Sequence, residues 1–345
     1  MDASVIIVDW RRPDLTRKAL DAVVGQRTSA SFEVVLVVNE AEPAVIDAYR
    51  ADYPSVVLVP EPTNAGFAGG VARGLAAAGG DIVVLVNNDA VADHTFLDRG
   101  LAVLAAVPED VAALSATVVL EGSFVPATER PDRNDLVTAD GGRWRRADRG
   151  APLLNGTGVV LTADGNGRDR DWLRPLDGPR ERAPLFGFSG GAAFIRRSAL
   201  DRVGGFDESL FMYYEDVDLS WRLRLAGYDI RHAADASVVH RHAASSSSDS
   251  SLVRYQSMRN RLAVVLRNAS GRMVARVVMR TVLRMVVDLV RPAHAQLPPA
   301  AWGRLVREAP AIVRRAVRLR RADRVAPQRR AAVERDHLER AAGVP

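Results

Sequence analysis

The N-terminal part of the chain alternates short apolar runs with segments of helical spacing, and this alternation restricts the fold strongly. The apolar runs, all rich in β-branched residues, are Ser4–Val8, Glu33–Val38, Val56–Val59 and Ile82–Val86. The segments of helical spacing between them are Asp14–Val24, Pro43–Tyr53 and Gly69–Ala78. Strands that alternate with helices build βαβ units, so the sequence predicts an α/β fold with a mostly parallel central sheet flanked by helices.

Polar residues follow these predicted strands, at Asp9, Asn39, Asn64 and Asn87–Asp89. Open α/β sheets bind their ligands at the carboxyl ends of the strands. We therefore expect a binding site where these polar residues meet.

The texture of the sequence changes between about Leu120 and Pro184, where Pro, Gly, Asp, Asn and Arg dominate. A stretch of this length is too long to be a simple connection between two elements. We predict an irregular insertion over 120–185, with a hairpin in it, on the acceptor side of the site.

Regular patterning returns after the insertion, and Asp216–Ala226 is predicted to be a helix. Ala236–His240 predicts a last strand, and the serine run Ser245–Ser251 predicts a loop. The remainder has helical character. The expected division is a catalytic domain over 1–250 and a basic helical extension over 251–345.

The chain of 345 residues contains no cysteine, which excludes disulfides, zinc–thiolate sites and cysteine nucleophiles. Its net charge is +5, its isoelectric point is near 10.0, and Lys18 is its only lysine. The arginines after Arg254 indicate an anionic partner, but because aromatic residues are not interleaved with them we predict no nucleic-acid partner. Since no leader and no apolar span of about 20 residues is found, a cytoplasmic protein is expected.

The most apolar later segment is Met273–Val290, in which Arg276, Arg280 and Arg284 recur every four residues. On a helix these arginines form one stripe beside a valine-rich face. Two interpretations stay open. Residues 270–325 lie on an anionic membrane surface, at the inner face of the cell membrane, or the segment packs on the catalytic domain with a solvated arginine edge.

The strongest chemical signal is Asn87-Asn88-Asp89, where an apolar strand ends in three oxygen-bearing side chains. Oxygen ligands suit hard divalent cations such as Mg²⁺ or Mn²⁺, and these cations can bridge the phosphates of a diphosphate. An ordinary Asn/Asp turn after a strand has the same pattern.

A second signal is the run Phe211–Asp218, in which aromatic residues lead into Glu215, Asp216 and Asp218 at a predicted helix start. Acids at this position commonly only stabilise the helix N-terminus. Beside several aromatic residues, one carboxylate can instead lie in a partly dry pocket, as a general base requires.

Three weaker signals accompany these two. The glycine-rich turn Asn64–Gly70 either lets the backbone approach a phosphate or packs a strand tightly on a helix, and it matches neither the dinucleotide nor the ATP-loop pattern. His240 is a metal ligand, a hydrogen-bond donor to a phosphate or a surface residue. Ser189–Ala192 either presents its backbone to a substrate or forms a tight turn.

In their order and spacing, these segments resemble family 2 glycosyltransferases of the GT-A fold, especially the bacterial branch with rhamnosyl- and galactofuranosyltransferases. The resemblance covers about Ser4 to Asn260. It rests on Ser4–Trp10, Asn64–Gly70, Asn87–Asp89, Gly191–Ala192, Val203–Glu208, Phe211–Asp218 and Val239–His240. It implies inverting transfer of a sugar from a nucleotide-diphosphate donor, of dTDP-rhamnose or UDP-sugar type, to a hydroxyl of a cell-envelope glycan or lipid-linked acceptor, with Mn²⁺ or Mg²⁺ as cofactor.

The resemblance also implies roles for individual residues. Asp216, in its pair with Glu215, corresponds to the catalytic base, and Asp89 and His240 correspond to metal ligands. The residues at donor-binding positions are Val8, Asp9, Asn39, Asn64, Gly66, Asn87, Asn88 and Gly191.

Two positions depart from the family's pattern. The second strand ends in Val38-Asn39 where Asp-Asn is usual, and Ala72 stands where an asparagine is usual. Because both changes touch nucleotide recognition, a non-catalytic nucleotide-sugar-binding relative is the alternative. A nucleotidyltransferase is disfavoured, since Asp9–Pro13 is not a glycine-rich loop.

Overall fold

The computed structural model describes residues 1–40, 42–128, 131–138, 140–241 and 251–339. The predicted loop Ser245–Ser251 therefore lies outside the described residues, apart from Ser251 itself.

The elements alternate along the chain as the sequence predicts. The strands in these ranges are β1 (Ala3–Trp10), β2 (Phe32–Asn39), β3 (Val57–Glu61), β4 (Ile82–Val86), β5 (Ala90–Ala92), β6 (Val111–Leu120), β7 (Ser123–Pro126), β8 (Leu136–Val137), β9 (Arg143–Ala147), β10 (Leu154–Gly156), β11 (Val159–Leu161), β12 (Gly167–Asp169), β13 (Ala192–Arg196) and β14 (Asp229–His240). The helices are α1 (Pro13–Val24), α2 (Pro43–Asp52), α3 (Gly66–Ala77), α4 (Phe96–Ala106), α5 (Arg197–Val203), α6 (Glu215–Ala226), α7 (Ser251–Asn268), α8 (Gly271–Val290), α9 (Pro299–Ala322) and α10 (Pro327–His337). Short 3₁₀ turns cover Glu208–Leu210 and Pro292–His294.

The central sheet has the strand order β3-β2-β1-β4-β13-β6-β14-β5, with β10 beside β6. Strands β1 to β4 pair in parallel, which confirms the prediction from the βαβ alternation. Strand β13 runs antiparallel to β4 and β6, so the sheet as a whole is mixed. The reversal arises because β13 follows the insertion directly and no crossover helix returns the chain to the other edge.

Both faces of this sheet are buried. Along β1, Val5 and Ile7 belong to the core on one face, and Ile6 and Val8 belong to the core on the other. Burial on both faces explains why the strands read as continuous apolar runs. The same alternation places Asp9 on the face that carries α1.

The insertion is more regular than the sequence predicts. Strands β7, β9 and β8 form a small antiparallel sheet, β10 joins the central sheet, and β11 and β12 form the expected hairpin. Isolated pairs of such short strands are marginal in water, so packing against the main sheet must stabilise them. The described part of the insertion therefore contains regular strands, one of which joins the central sheet.

The C-terminal helices share a hydrophobic core with the rest of the chain. Trp221 of α6 and Leu161 of β11 pack in one cluster with Val265, Met273 and Val333 of the later helices. Within the described ranges, no helix combines the length and the apolar character that crossing a bilayer requires.

Candidate active site

The ends of β4 and β14 bring Asp89 and His240 together. His240 pairs with Ala90 of β5, the residue that follows Asp89 in the chain. Nε2 of His240 lies 3.0 Å from Oδ1 of Asp89, and Nδ1 lies 2.8 Å from Oδ1 of Asn155. The contact with Asn155 orients the imidazole ring, so that Nε2 points to the carboxylate. The two residues that the resemblance assigns to a metal are therefore neighbours.

The spacing of this pair is that of a hydrogen bond and also that of two ligands of one divalent cation. Two adjacent ligands at about 2.1 Å from one octahedral Mg²⁺ lie about 3.0 Å apart, which is the spacing between Nε2 and Oδ1 here. In the described part of the chain, no group of three or more histidine, aspartate or glutamate side chains is arranged to hold a metal ion. As metal ligands, Asp89 and His240 would therefore depend on other groups, such as diphosphate oxygens and water, to complete the coordination.

Asp216 lies at the start of α6, next to the Ser189–Gly191 turn. Gly190 N donates to Asp216 Oδ2 over 3.0 Å, and Val217 N donates to Oδ1 over 2.7 Å. Burial raises the pKa of the Asp216 carboxyl above its ordinary value, although these two bonds act in the opposite direction. A carboxylate with a raised pKa is a better proton acceptor, which suits a general base.

The turn at Ser189–Gly191 connects the two halves of the site. The Gly191 carbonyl accepts a hydrogen bond from the N–H of Asn87, over 3.0 Å, while Gly190 bonds to Asp216. The Asn87–Asp89 segment and the Asp216 carboxylate are thus held on either side of one glycine pair. The two segments that the sequence leaves far apart lie at the same edge of the sheet.

A third carboxylate, Asp169, reaches the same region from β12. It is half-buried, and its Oδ1 would lie 3.6 Å from a Cβ added at Gly156, one residue after Asn155. Burial and the nearby Asp216 carboxylate raise the pKa of Asp169 to about 7, while His240 acts in the opposite direction. Asp169 therefore lies close enough to interact electrostatically with both Asp216 and His240.

The segment before Asp216 has an unusual backbone. Phe211, Tyr213 and Tyr214 have φ values of 62°, 65° and 71°, a region that residues with a side chain rarely occupy. The fully buried Asn260 of α7 holds this segment, because its Nδ2 donates to the carbonyls of Leu210, Met212 and Tyr213 over 2.7–2.8 Å. The position of Asp216 thus depends on Asn260, which lies on another helix.

The glycine-rich turn touches this strained segment. Gly66 has a φ of +72°, and an added Cβ would lie 2.2 Å from the Phe211 carbonyl oxygen. That oxygen also accepts from Ala68 N over 3.0 Å. Only glycine satisfies both the backbone angle and the close approach.

Several residues predicted to bind the donor are buried and form hydrogen bonds within the protein. Asp9 is 1% exposed and accepts bonds from the Thr16 hydroxyl (2.9 Å), the Tyr49 hydroxyl (2.8 Å) and the Asn88 amide (3.4 Å). These bonds tie Asp9 to α1, α2 and the Asn88 turn, and its contact with the donor stays a prediction.

Asn39 and Val8 are also buried, and their contacts with the donor stay predictions. Asn39 is 1% exposed, donates to the Gly66 carbonyl and accepts from Ala65 N, so it shapes the glycine-rich turn. Val8 is buried against α3, where an added Cβ at Gly70 would lie 2.5 Å from its Cγ1. Asn88, which donates to the Thr16 hydroxyl over 3.1 Å, is also buried.

The partly exposed members of the predicted donor set are Asn64, Asn87 and Gly191. Asn64 Oδ1 accepts from the N–H of Gly66, which fixes the start of the glycine-rich turn. At the two positions that depart from the family's pattern, Val38 packs in the core and Ala72 is half-buried on α3. Neither of these two side chains offers a polar group to a nucleotide.

A separate cavity of about 610 Å³ lies between α7, α9 and the segment around Leu210. Its arginines are neutralised within the protein, since Arg259 pairs with Glu308 and Arg315 pairs with Asp207. The metal pair and Asp216 are not on its wall. The candidate site residues therefore lie outside this cavity, at the edge of the sheet.

Glu215 gives a stability test of the site. It is buried, and its Oε2 has no hydrogen-bond partner among the described residues. Burial and the Asp216 carboxylate raise its pKa from 4.5 to about 8. The folded protein then keeps this proton between those pH values while the unfolded chain releases it, so the stability falls as the pH rises from about 4.5 to 8.

Glu215→Gln removes this titration. We expect the variant to unfold at a higher temperature than the parent above pH 8, and the difference to vanish near pH 4. Thermal unfolding at pH 4, 6 and 9 measures it, with Glu109→Gln at an exposed position as the control. Parallel pH profiles of parent and Glu215→Gln would contradict a protonated, buried Glu215.

Comparison with known proteins gives consistent matches. The family model described as Glycosyl transferase family 2 matches residues 4–204, and the one described as Glycosyl transferase family group 2 matches residues 177–300. An N-acetylglucosaminyl-diphospho-decaprenol L-rhamnosyltransferase of Mycobacterium tuberculosis is 48% identical over 71 residues, which are 21% of this chain and 23% of that protein. The O-antigen biosynthesis protein RfbC of Myxococcus xanthus is 26% identical over 252 residues, which are 71% of this chain and 18% of that protein.

Solved structures share the fold at low sequence identity. The mannosyltransferase PcManGT from Pyrobaculum calidifontis, in complex with GDP-Man and Mn²⁺, gives a TM-score of 0.50 at 15% identity, over 97% of this chain and 86% of that one. GalNAc-T7 with UDP, GalNAc and Mn²⁺ gives a TM-score of 0.55 at 12% identity, over 79% of this chain and 49% of that one.

Proposed function

Because the chain belongs to glycosyltransferase family 2 and has the GT-A fold, we propose that it transfers a sugar with inversion from a nucleotide-diphosphate donor to an acceptor hydroxyl. The observation that supports this most is the placement of Asp216 and the Asp89–His240 pair on either side of the Gly190–Gly191 turn. One anomeric carbon bound at this turn would have a proton acceptor on one side and a phosphate-binding pair on the other.

The donor side is formed by backbone and amide groups. In our proposal the Asn64–Gly66 turn and Asn87 face the nucleotide diphosphate, while Asp9, Asn39 and Asn88 hold these segments in place. Asp89 and His240 would hold Mn²⁺ or Mg²⁺, which when bound stabilises negative charge on the departing diphosphate. Preorganised groups of this kind lower the barrier because they need no rearrangement during the reaction.

The acceptor side is formed by α6 and the insertion. Asp216 would take the proton of the attacking hydroxyl, and its backbone bonds hold the carboxylate in a fixed orientation. Asp169 would accept a hydrogen bond from another hydroxyl of the acceptor, since it reaches the same region. A polyhydroxylated acceptor such as a cell-envelope glycan supplies such groups.

The sugar and the acceptor class are inferred from the relatives. The rhamnosyltransferase that shares 48% identity over 71 residues is named for a decaprenol-linked acceptor, and the second relative is named for O-antigen biosynthesis. These names support a rhamnosyl donor and a lipid-linked glycan acceptor for this chain.

A panel of donors tests the proposal. We expect one of UDP-, dTDP- and GDP-sugars to be hydrolysed slowly in the presence of Mn²⁺, and hydrolysis to stop on chelation. Asp89→Ala should lower this rate by about 10²-fold, because the loss of even an outer-shell partner at a metal site costs about 10–100-fold. Asp98→Ala, on the exposed side of α4, is the matched control.

Two outcomes would contradict the proposal. A protein that binds a nucleotide but leaves every donor intact would be a non-catalytic binder, the alternative that Val38 and Ala72 raise. Equal hydrolysis by Asp89→Ala and the parent would remove the metal assignment.

A further inference from the structure

Helix α8 presents an apolar face to solvent. Met273, Val277 and Thr281 lie on its buried side. The large apolar side chains on the opposite side, exposed by 38–72%, are Val278, Met279, Val282, Leu283, Val286, Leu289 and Val290. They recur at helical spacing and cover a strip about 18 Å long. We call these seven residues the α8 face.

The orientation of this face is fixed by polar contacts on the neighbouring edge of the helix. Arg276 donates to the Ala163 carbonyl over 3.1 Å, Arg280 pairs with Asp164, and Arg284 pairs with Asp288. The three arginines, for which the sequence analysis left a membrane surface and a solvated edge open, are therefore tied to the protein. The side of α8 that remains available is the apolar one.

The segment that contains the α8 face is strongly basic. Residues 271–322 contain twelve arginines and two acids. Both acids are neutralised, because Asp288 pairs with Arg284 and Glu308 pairs with Arg259 and Arg304. Within the described ranges, the exposed arginines of this region that form no ion pair are Arg272, Arg291, Arg307, Arg314, Arg318 and Arg321.

We infer that the α8 face docks on an anionic lipid bilayer and lies in the plane of its surface. Apolar side chains on one side of a helix, with arginines around it, match the two layers of such a surface, the acyl boundary and the anionic headgroups. A second copy of this chain fits less well, because two such regions would bring arginines against arginines. Residues 271–322 thus match a bilayer in both apolarity and charge.

The docked helix would place the bilayer near the acceptor side of the site. The turn that Arg276 and Arg280 hold belongs to the β11–β12 hairpin, and β12 ends at Asp169. Asn166 in this turn accepts from the Tyr214 hydroxyl, two residues before Asp216. This part of the inference rests on the proposed function, since a lipid-linked acceptor would then arrive from the membrane beside the base.

Vesicle flotation of the full chain tests the docking. The vesicles are equimolar phosphatidylglycerol and phosphatidylcholine, compared with phosphatidylcholine alone. We expect the parent to float with the anionic vesicles, and Met279→Glu/Val286→Glu to partition about tenfold less, because a buried apolar contact becomes a charged one. Val137→Glu, at an exposed apolar position of β8, should behave like the parent.

The readouts separate failure of the docking from failure of the fold or of the transfer function. Circular dichroism reports folding, and Val282→Ser/Leu289→Ser is the milder variant if the charged one does not fold. Equal flotation of parent and either folded variant overturns the inference, as does a parent that stays in solution. A dimer in light scattering that the variants dissociate would assign the face to a second copy and also overturn it. Donor hydrolysis, measured without lipid, should be unchanged in both variants. If the parent itself hydrolyses no donor, the proposed transfer function fails, but the flotation result still tests the docking.

Discussion

Asp216→Asn should abolish sugar transfer while the protein stays folded and still binds its donor. Asparagine keeps the shape and one acceptor oxygen for the N–H of Gly190, but it cannot take a proton. A positioned base contributes about 10²–10⁴-fold to the rate, so we expect a loss in that range. Initial rates of transfer measure it, and calorimetric titration with the nucleotide measures donor binding.

The pH dependence sharpens this prediction. Because burial raises the pKa of Asp216, the rate of the parent should fall as the pH drops through that raised pKa, where the carboxylate becomes protonated. The variant should lose this limb of the profile.

Asp169→Asn is the matched control, since it makes the same change at a carboxylate in the same region. It should keep measurable transfer with a weaker affinity for the acceptor. Normal turnover by Asp216→Asn, or complete loss in Asp169→Asn alone, would assign the proton to a different group.

Asn260→Asp should be the most damaging single substitution outside the sheet edge. The asparagine donates its two amide hydrogens to three carbonyls of the strained segment. Aspartate would face the same carbonyls with acceptors only, and each buried group left unpaired costs about 1–3 kcal/mol. We therefore expect a loss of several such increments in the free energy of unfolding, or no folded protein at all.

Asn260→Ala is the milder test, and it separates positioning from stability. It should destabilise the protein by about 1–3 kcal/mol and lower the transfer rate by more than the unfolded fraction accounts for, because Phe211, Tyr213 and Tyr214 would relax. Urea unfolding and initial rates on the folded fraction measure the two effects. Gln256→Met, one turn earlier on α7, is the control, since its Oε1 has no partner among the described residues. Full activity in folded Asn260→Ala would show that the strained segment keeps its conformation without Asn260.

Local sequence patterns predict much of this fold. The β-branched runs at β1, β2 and β4 are buried on both faces, so their composition alone identifies them. The short strands of the insertion were harder to predict. They are only two to five residues long, and their pairing depends on the main sheet beside them.

The candidate site divides in the same way. Asp89, Asp216 and His240 belong to recognisable segments, and the structure brings them to one edge of the sheet. Asn155 and Asp169 lie in the insertion without a local signal, because their roles come from side chains 47 or more positions away along the chain. A polar residue after a strand also does not reveal whether it faces solvent. Asp9 follows a strand, as a ligand-binding residue would, but its buried carboxylate accepts hydrogen bonds from Thr16 and Tyr49.

The predicted boundary between 250 and 251 stays a prediction. The shared core of Trp221, Val265 and Val333 indicates that the later helices and α6 stabilise each other. Removal of the extension would therefore expose apolar surface next to the base.

The bracing of the β11–β12 turn has a consequence for engineering. Its polar groups are held from outside the insertion, by Arg276 and Arg280 of α8 and by Tyr214 of the base segment. Grafting residues 120–185 from a relative with another acceptor would sever these contacts and leave guanidinium groups without partners. A transplantable unit for a change of acceptor therefore includes α8 and Tyr214 as well as the insertion.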